Sequence, residues 1–240
     1  MLIVLAVDAF YFPKLKDYNM SKFLGLSLSC VLSTGLLAGA AYADDDTRNY
    51  EVTVTNITRG QSFTPILVAT HHQGIHMYQF GQPASSALAA LAEGGETAPL
   101  AAVFGATLHA KTMTSAGLLA PGKSVTITIS ARDGADHISV ASMLIPTNDT
   151  FIAVNGMPLP KGKEASVFLS TGHDAGSEPN DEICANIPGP VCHGEGTSAN
   201  AGGEGFVHIS AGIHGIGDLE AAEYDWRNPV ARIVIRKIEN

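Results

Sequence analysis

Ser124-Val125-Thr126-Ile127-Thr128-Ile129-Ser130 alternates apolar and polar side chains without a break. Successive side chains of a strand point to opposite faces, so Val125, Ile127 and Ile129 share one face and the Ser and Thr side chains take the other. One face is to be buried and one wetted, and β-branched residues suit such a half-buried pleat. The same period runs through 50–56. The segments 66–70, 138–145, 165–169, 205–209 and 231–235 read as further strands, separated by Gly- and Pro-bearing turns. One segment has a helical reading: 84–93, started by Ser85-Ser86 and stopped by Gly94-Gly95. Many short strands with one or two short helices predict an all-β chain, an antiparallel β-sandwich.

The first 43 residues stand apart from that pattern. Residues 1–19 look unrelated to the rest of the chain, and Met20 reads as the true initiator. Lys22 precedes an uncharged run over 23–41, which ends in Ala41-Tyr42-Ala43 and is followed by Asp44-Asp45-Asp46. A basic start, an apolar core and an A-x-A exit describe an export signal cleaved after Ala43. The run is also long enough to weigh as a membrane anchor. Its small exit residues and abrupt acidic continuation favour cleavage, hence a secreted or periplasmic protein with no stable membrane insertion afterwards. The remainder, 44–240, has no low-complexity linker and no internal repeat, and is expected to be one domain. The formal charge of −9 loses three lysines and two aspartates with the leader and becomes −10. Basic residues are scattered rather than clustered, which argues against nucleic acid and anionic membranes as partners. Cys30 leaves with the signal. Cys184 and Cys192, eight apart in an exported chain, read most simply as a disulfide. The alternative is a metal thiolate pair with His193.

Chemistry concentrates in His173-Asp174-Ala175-Gly176-Ser177-Glu178-Pro179-Asn180-Asp181-Glu182, which comes after an apolar strand. Hard divalent cations want several oxygen ligands at once, and a turning acidic loop supplies them. The acid spacing is not that of an EF-hand. A second acidic loop, Pro146-Thr147-Asn148-Asp149-Thr150-Phe151, could share an ion with the first if both lie at one end of a sheet. Against this stands the plain reading of a solvated acidic loop. His71, His72 and His76 raise a zinc alternative, but no H-E-x-x-H is present and adjacent residues of a strand point opposite ways. His137, His173, His208 and His214 read as neutral turn or core residues. Glu93 and Glu96 could pair for acid–base work, but more simply cap a helix end in solvent. No G-x-S-x-G, P-loop or G-x-G-x-x-G after a strand is found.

Several motifs stand in a telling order: the strand 50–56, Phe63-Thr64-Pro65, Ala84-Ser85-Ser86-Ala87-Leu88, Ala92-Glu93-Gly94-Gly95-Glu96, the two acidic loops, and Asn228-Pro229-Val230-Ala231-Arg232-Ile233-Val234-Ile235. This order resembles the spondin domain, the N-terminal module of F-spondin and mindin that also occurs in bacterial secreted proteins. The likeness is to the bacterial branch, with departures from the animal one at 71–76 and in the insertion carrying Cys184 and Cys192. The resemblance implies a C2-like sandwich with one bound calcium ion. The family's metal carboxylates fall on Asp149, Asp174 and Glu178, the last commonly Asp in relatives. Asn148, Asp181 and backbone carbonyls near Asp174 could complete a shell of six to eight oxygens. Glu93 sits in the family's Ala-Glu-x-Gly motif, near a surface linked in animal relatives to recognition, which makes it a candidate partner contact. The implied function is a secreted, non-enzymatic calcium-binding module for adhesion, meeting an extracellular or cell-surface ligand such as a glycan or matrix protein. Two alternatives are a metal-dependent hydrolase and a structural envelope protein stapled by its ion. The hydrolase would need His173, or the 71–76 histidines, to face the ion across a cleft.

Overall fold

Ile127 and Ile129 are buried while Thr126 and Thr128 are exposed, so the alternating stretch lies as one face of a sheet on a core. The computed structural model describes residues 47–197 and 202–239; the export signal expected over 1–43 lies outside the described residues. In chain order the elements are β1 (Arg48–Asn56), β2 (Ser62–Phe63), β3 (Leu67–His71), α1 (Ser86–Gly94), α2 (Thr97–Gly105), β4 (Lys111–Thr114), β5 (Ser124–Ala131) and β6 (His137–Ile145). Next come β7 (Thr150–Pro158), β8 (Ser166–Ser170), β9 (His173–Asp174), β10 (His208–Ile209), α3 (Ala221–Tyr224) and β11 (Ala231–Ile238).

Two antiparallel sheets result. A 4-stranded sheet has the order β5-β1-β11-β8, and a 7-stranded sheet runs β10-β9-β7-β6-β3-β4 with β2 paired to β6. In the first, Val52 pairs with both Ile127 and Ile235, and Val54 with Val125 and Ile233, which stacks the apolar faces of three strands in register. These residues meet Val68, Ile138, Val140, Ile152 and Val154 of the second sheet in one core. The second sheet is covered on its other face as well. Leu67, Ala69, Ala141, Phe151 and Ala153 pack there with Leu88, Leu91, Leu100 and Phe104 of the two helices. Strands buried on both faces lose the polar half of the alternation, and β6 and the first half of β7 are buried almost throughout.

The helix expected over 84–93 forms as α1. Ser85 caps it, accepting from the Leu88 amide at 3.2 Å, and Gly95 ends it in the left-handed conformation. A second short helix, α2, comes directly after α1, in line with the one or two short helices expected. Two sequence expectations need correction. Thr150 and Phe151, read as the end of an acidic loop, open the strand β7, and 152–158, assigned no element from the sequence, continue it. The strand expected over 205–209 shrinks to His208–Ile209, because Gly205 instead bonds the acidic loop, its amide donating to the Gly176 carbonyl at 2.9 Å. No helix among the described residues is long and apolar enough to cross a membrane.

Candidate metal centre

The short strand β9 decides the geometry. Its two residues pair with the start of β7, Phe151 with His173 and Thr150 with Asp174. Neighbouring residues of a strand face opposite ways, so Asp174 and His173 serve two different environments. On the Asp174 side the 146–149 turn brings up Asp149, and both aspartates are fully buried. Asp149 Oδ2 accepts from the amides of Ser177 (2.8 Å) and Glu178 (3.1 Å) and from Ser177 Oγ (3.2 Å). Its Oδ1 is buried with no hydrogen-bond partner. Asp174 Oδ1 accepts from the Gly176 amide and its Oδ2 from Asn180 Nδ2, both at 2.8 Å.

Burial pushes the Asp149 carboxyl up, and the nearby Asp174 charge raises it further, to about 7 against the opposing bonds from Glu178 and Ser177. Burial likewise raises Asp174, partly offset by Asn180, the Gly176 amide and His208. Glu178, 1 % exposed, is also buried in the acidic loop after Asp174, and its charge acts on Glu93. Concentrating anions out of water costs several kcal/mol per ion unless a counter-charge is supplied. A buried carboxylate oxygen with no hydrogen-bond partner, in the field of a second buried aspartate, is the donor chemistry of a hard cation. Asp149 and Asp174 therefore have the donor chemistry of the ion that the spondin resemblance implies, while among the described residues the three side chains whose donor atoms lie within 4.8 Å of one another are Asp174, Glu204 and His208.

The remaining candidates divide between the loop's exit and α1. Asn148 Nδ2 donates to Asp181 Oδ1 at 3.0 Å, and Asp181 Oδ2 accepts from Asn186 Nδ2 at 2.8 Å. These side chains hold the loop to its exit. Cys184 and Cys192 form a disulfide there. Glu93 differs from expectation: it is 6 % exposed, and it neither caps a helix end in solvent nor offers its side chain to a partner. Burial raises its carboxyl, a Ser177 hydrogen bond lowers it, and the charge of Glu178 raises it again, so Glu93 reaches the acidic loop from α1.

His173 faces away from the carboxylates. It is 6 % exposed and sits among Tyr78, Phe80 and Phe151, with ring centroids 5.3 to 5.4 Å away. Its Nε2 bonds Thr171 Oγ1 at 3.0 Å, and burial lowers its pKa to about 4. It lines an uncharged groove of about 910 Å³ between β7, β8 and the 76–80 segment. His71 is buried against Phe104 and bonds Ser139 Oγ at 2.9 Å. Neither meets the condition set for a hydrolytic histidine facing the ion.

Two residues escaped the sequence reading. Glu204 and His208 bring one donor atom each to within 4.8 Å of one another and of Asp174. His208 was expected to be a neutral turn or core residue. Burial does lower its pKa, but the Ile209 carbonyl and the Asp174 and Glu204 carboxylates outweigh that and raise it. The only trace of this in the sequence is a Glu and a His four apart in a Gly-rich stretch.

The Spondin_N family model matches residues 48–177, more than half of the chain. The chain belongs to the Spondin_N family. The Spondin_N match takes in Asp149 and Asp174 and stops at Ser177, so Glu178 and the closing strand β11 lie beyond it. No curated protein matches the chain.

Proposed function

We propose that the protein is an exported, calcium-binding spondin module that acts by adhesion to an extracellular or cell-surface ligand rather than by catalysis. The observation that carries the cation is the buried, unpartnered Oδ1 of Asp149 facing a second buried aspartate. An all-oxygen set of Asp149, Asp174 and Glu178 favours calcium over softer ions. Family membership supports the non-catalytic reading, since Spondin_N domains are generally non-catalytic modules. The disulfide and the family together support an extracellular location. The ligand, a glycan or a matrix protein, rests on family membership alone.

The test is thermal unfolding with calcium and with chelator, on wild type and on Asp149→Asn. Calcium should raise the melting temperature of wild type, and Asp149→Asn should abolish most of that rise. Equal melting curves of wild type with calcium and with chelator would sink the reading.

A further inference from the structure

A second donor set, from residues beyond the matched range, meets Asp174. His208 is the cross-strand partner of Asp174 in the β9–β10 pair, so both sit on one short ladder. His208 Nδ1 lies 2.9 Å from the Ile209 carbonyl oxygen. A carbonyl only accepts, so Nδ1 carries a proton, and in the neutral ring Nε2 presents a lone pair. That lone pair is aimed at Asp174 Oδ1, 3.4 Å away, and Glu204 Oε2, 3.5 Å away. Nε2 is buried and makes no hydrogen bond. These separations are long for a charge-assisted hydrogen bond, which closes to about 2.7–2.9 Å. They match the spacing of ligands sharing one small ion: two donors about 2.1 Å from a tetrahedral centre stand ~3.4 Å apart.

The surroundings fix all three donors. Asn180 Nδ2 donates to Asp174 Oδ2 at 2.8 Å and to Glu204 Oε1 at 3.1 Å, so one amide ties the outer oxygens together and leaves the inner ones turned toward His208. A ligating histidine that gives its other N–H to a carbonyl, and ligating carboxylates held by hydrogen bonds, form the usual outer shell of a metal site. Backbone contact delivers Glu204. A Cβ on Gly203 would lie 2.4 Å from the Gly176 carbonyl oxygen, and one on Gly176 2.3 Å from that of Phe206. Only glycines allow this approach.

We propose that Asp174 Oδ1, Glu204 Oε2 and His208 Nε2 form a site for a transition-metal ion of the zinc class, distinct from the calcium set and sharing Asp174 with it. The imidazole nitrogen makes the distinction, since calcium takes oxygen donors and zinc accepts nitrogen. With three protein ligands the fourth position is open to water or to a donor from a bound partner. Glu204 and His208 lie beyond the Spondin_N match, so the match itself does not assign this site.

Calorimetric titration of the chelator-treated protein with zinc, and visible absorption with cobalt as the probe, test this. One zinc per chain is expected. His208→Gln should weaken it at least about a hundredfold and Asn180→Ala about tenfold. Cobalt should give the d–d bands of mixed nitrogen and oxygen ligation, lost in His208→Gln. Retention of the calcium-dependent melting rise in His208→Gln shows that the variant is folded. Asp149→Asn should keep zinc while losing calcium, so either site can fail without the other. Absence of zinc binding, or zinc binding that His208→Gln leaves unchanged, overturns the proposal.

Discussion

Asp149 and Glu182 are both buried carboxylates of two adjoining loops, 0 % and 2 % exposed, and they are handled in opposite ways. Glu182 is satisfied by the chain itself: its oxygens accept from the amides of His214 (2.5 Å), Gly215 (2.8 Å) and Ile216 (2.9 Å). Three successive amides make a ready anion cradle. Asp149 keeps one oxygen buried and unanswered beside Asp174. One carboxylate builds the fold, and the other leaves a lone pair that either a proton or a cation would answer. Buried charge alone is therefore no sign of a metal; an unanswered lone pair is.

The largest effect expected from this contrast belongs to Glu182→Ala. It leaves three amides without their charged acceptor, each worth on the order of 1–2 kcal/mol, for about 3–6 kcal/mol in all. The loss should be the same with calcium and with chelator in denaturant unfolding. A loss that calcium restores would erase the distinction between the two carboxylates. Next comes calcium on wild type, about 2.7 kcal/mol at a hundredfold excess over the dissociation constant. Asp149→Asn should reduce that gain to near zero while making the chelated protein more stable, because the mutation removes an uncompensated charge. A chelated variant less stable than wild type would mean that Asp149 is needed for its hydrogen bonds alone.

The pH dependence sharpens the comparison, because Asp149 and His173 respond in opposite senses. The folded Asp149 carboxyl titrates at about 7, above its ordinary value of 3.8. In chelator its contribution is present below pH 4 and lost as pH rises toward 7. The folded His173 titrates at about 4, below its ordinary 6.5. Its contribution is present above pH 6.5 and lost as pH falls toward 4. Between pH 4 and 6.5 the two slopes oppose each other. Chelated protein should change little in stability over that window, and calcium, by holding Asp149 ionised, should expose a clear loss on acidification. Melting curves at several pH values check this, and His173→Phe should remove the acid loss in calcium.

How legible each element is in the sequence depends on the number of faces it buries. The strands β1, β5 and β11 bury one face, so their alternation is visible. The strand β7 buries both faces over Thr150–Val154, against the opposite sheet and against α1, and so shows no period. Asp149 and Asp174 are legible because the acidic residues of each lie within one short loop. Glu204 and His208 are not, because their approach depends on Gly176 and Gly203 meeting backbone to backbone across the fold. The burial of Glu93 is hidden for a similar reason: nothing in α1 records that the loop at Ser177–Glu178 will close over its last turn.

Glu93→Gln is the smallest change expected and the one that measures how far the unanswered charge extends. Glu93 is buried and feels the charge of Glu178, yet it also shares a hydrogen bond with Ser177. Glutamine keeps the shape and can still bond the Ser177 hydroxyl, so the variant changes charge and little else. If Glu93 belongs to the field that draws in the cation, relief of repulsion should stabilise the chelated protein by roughly 0.5–1 kcal/mol and reduce the calcium-dependent gain by a similar amount. Two melting curves, one with calcium and one with chelator, should then move closer together. If both move in parallel, Glu93 is only packing for α1, and the carboxylates that call for a cation reduce to the loop's own.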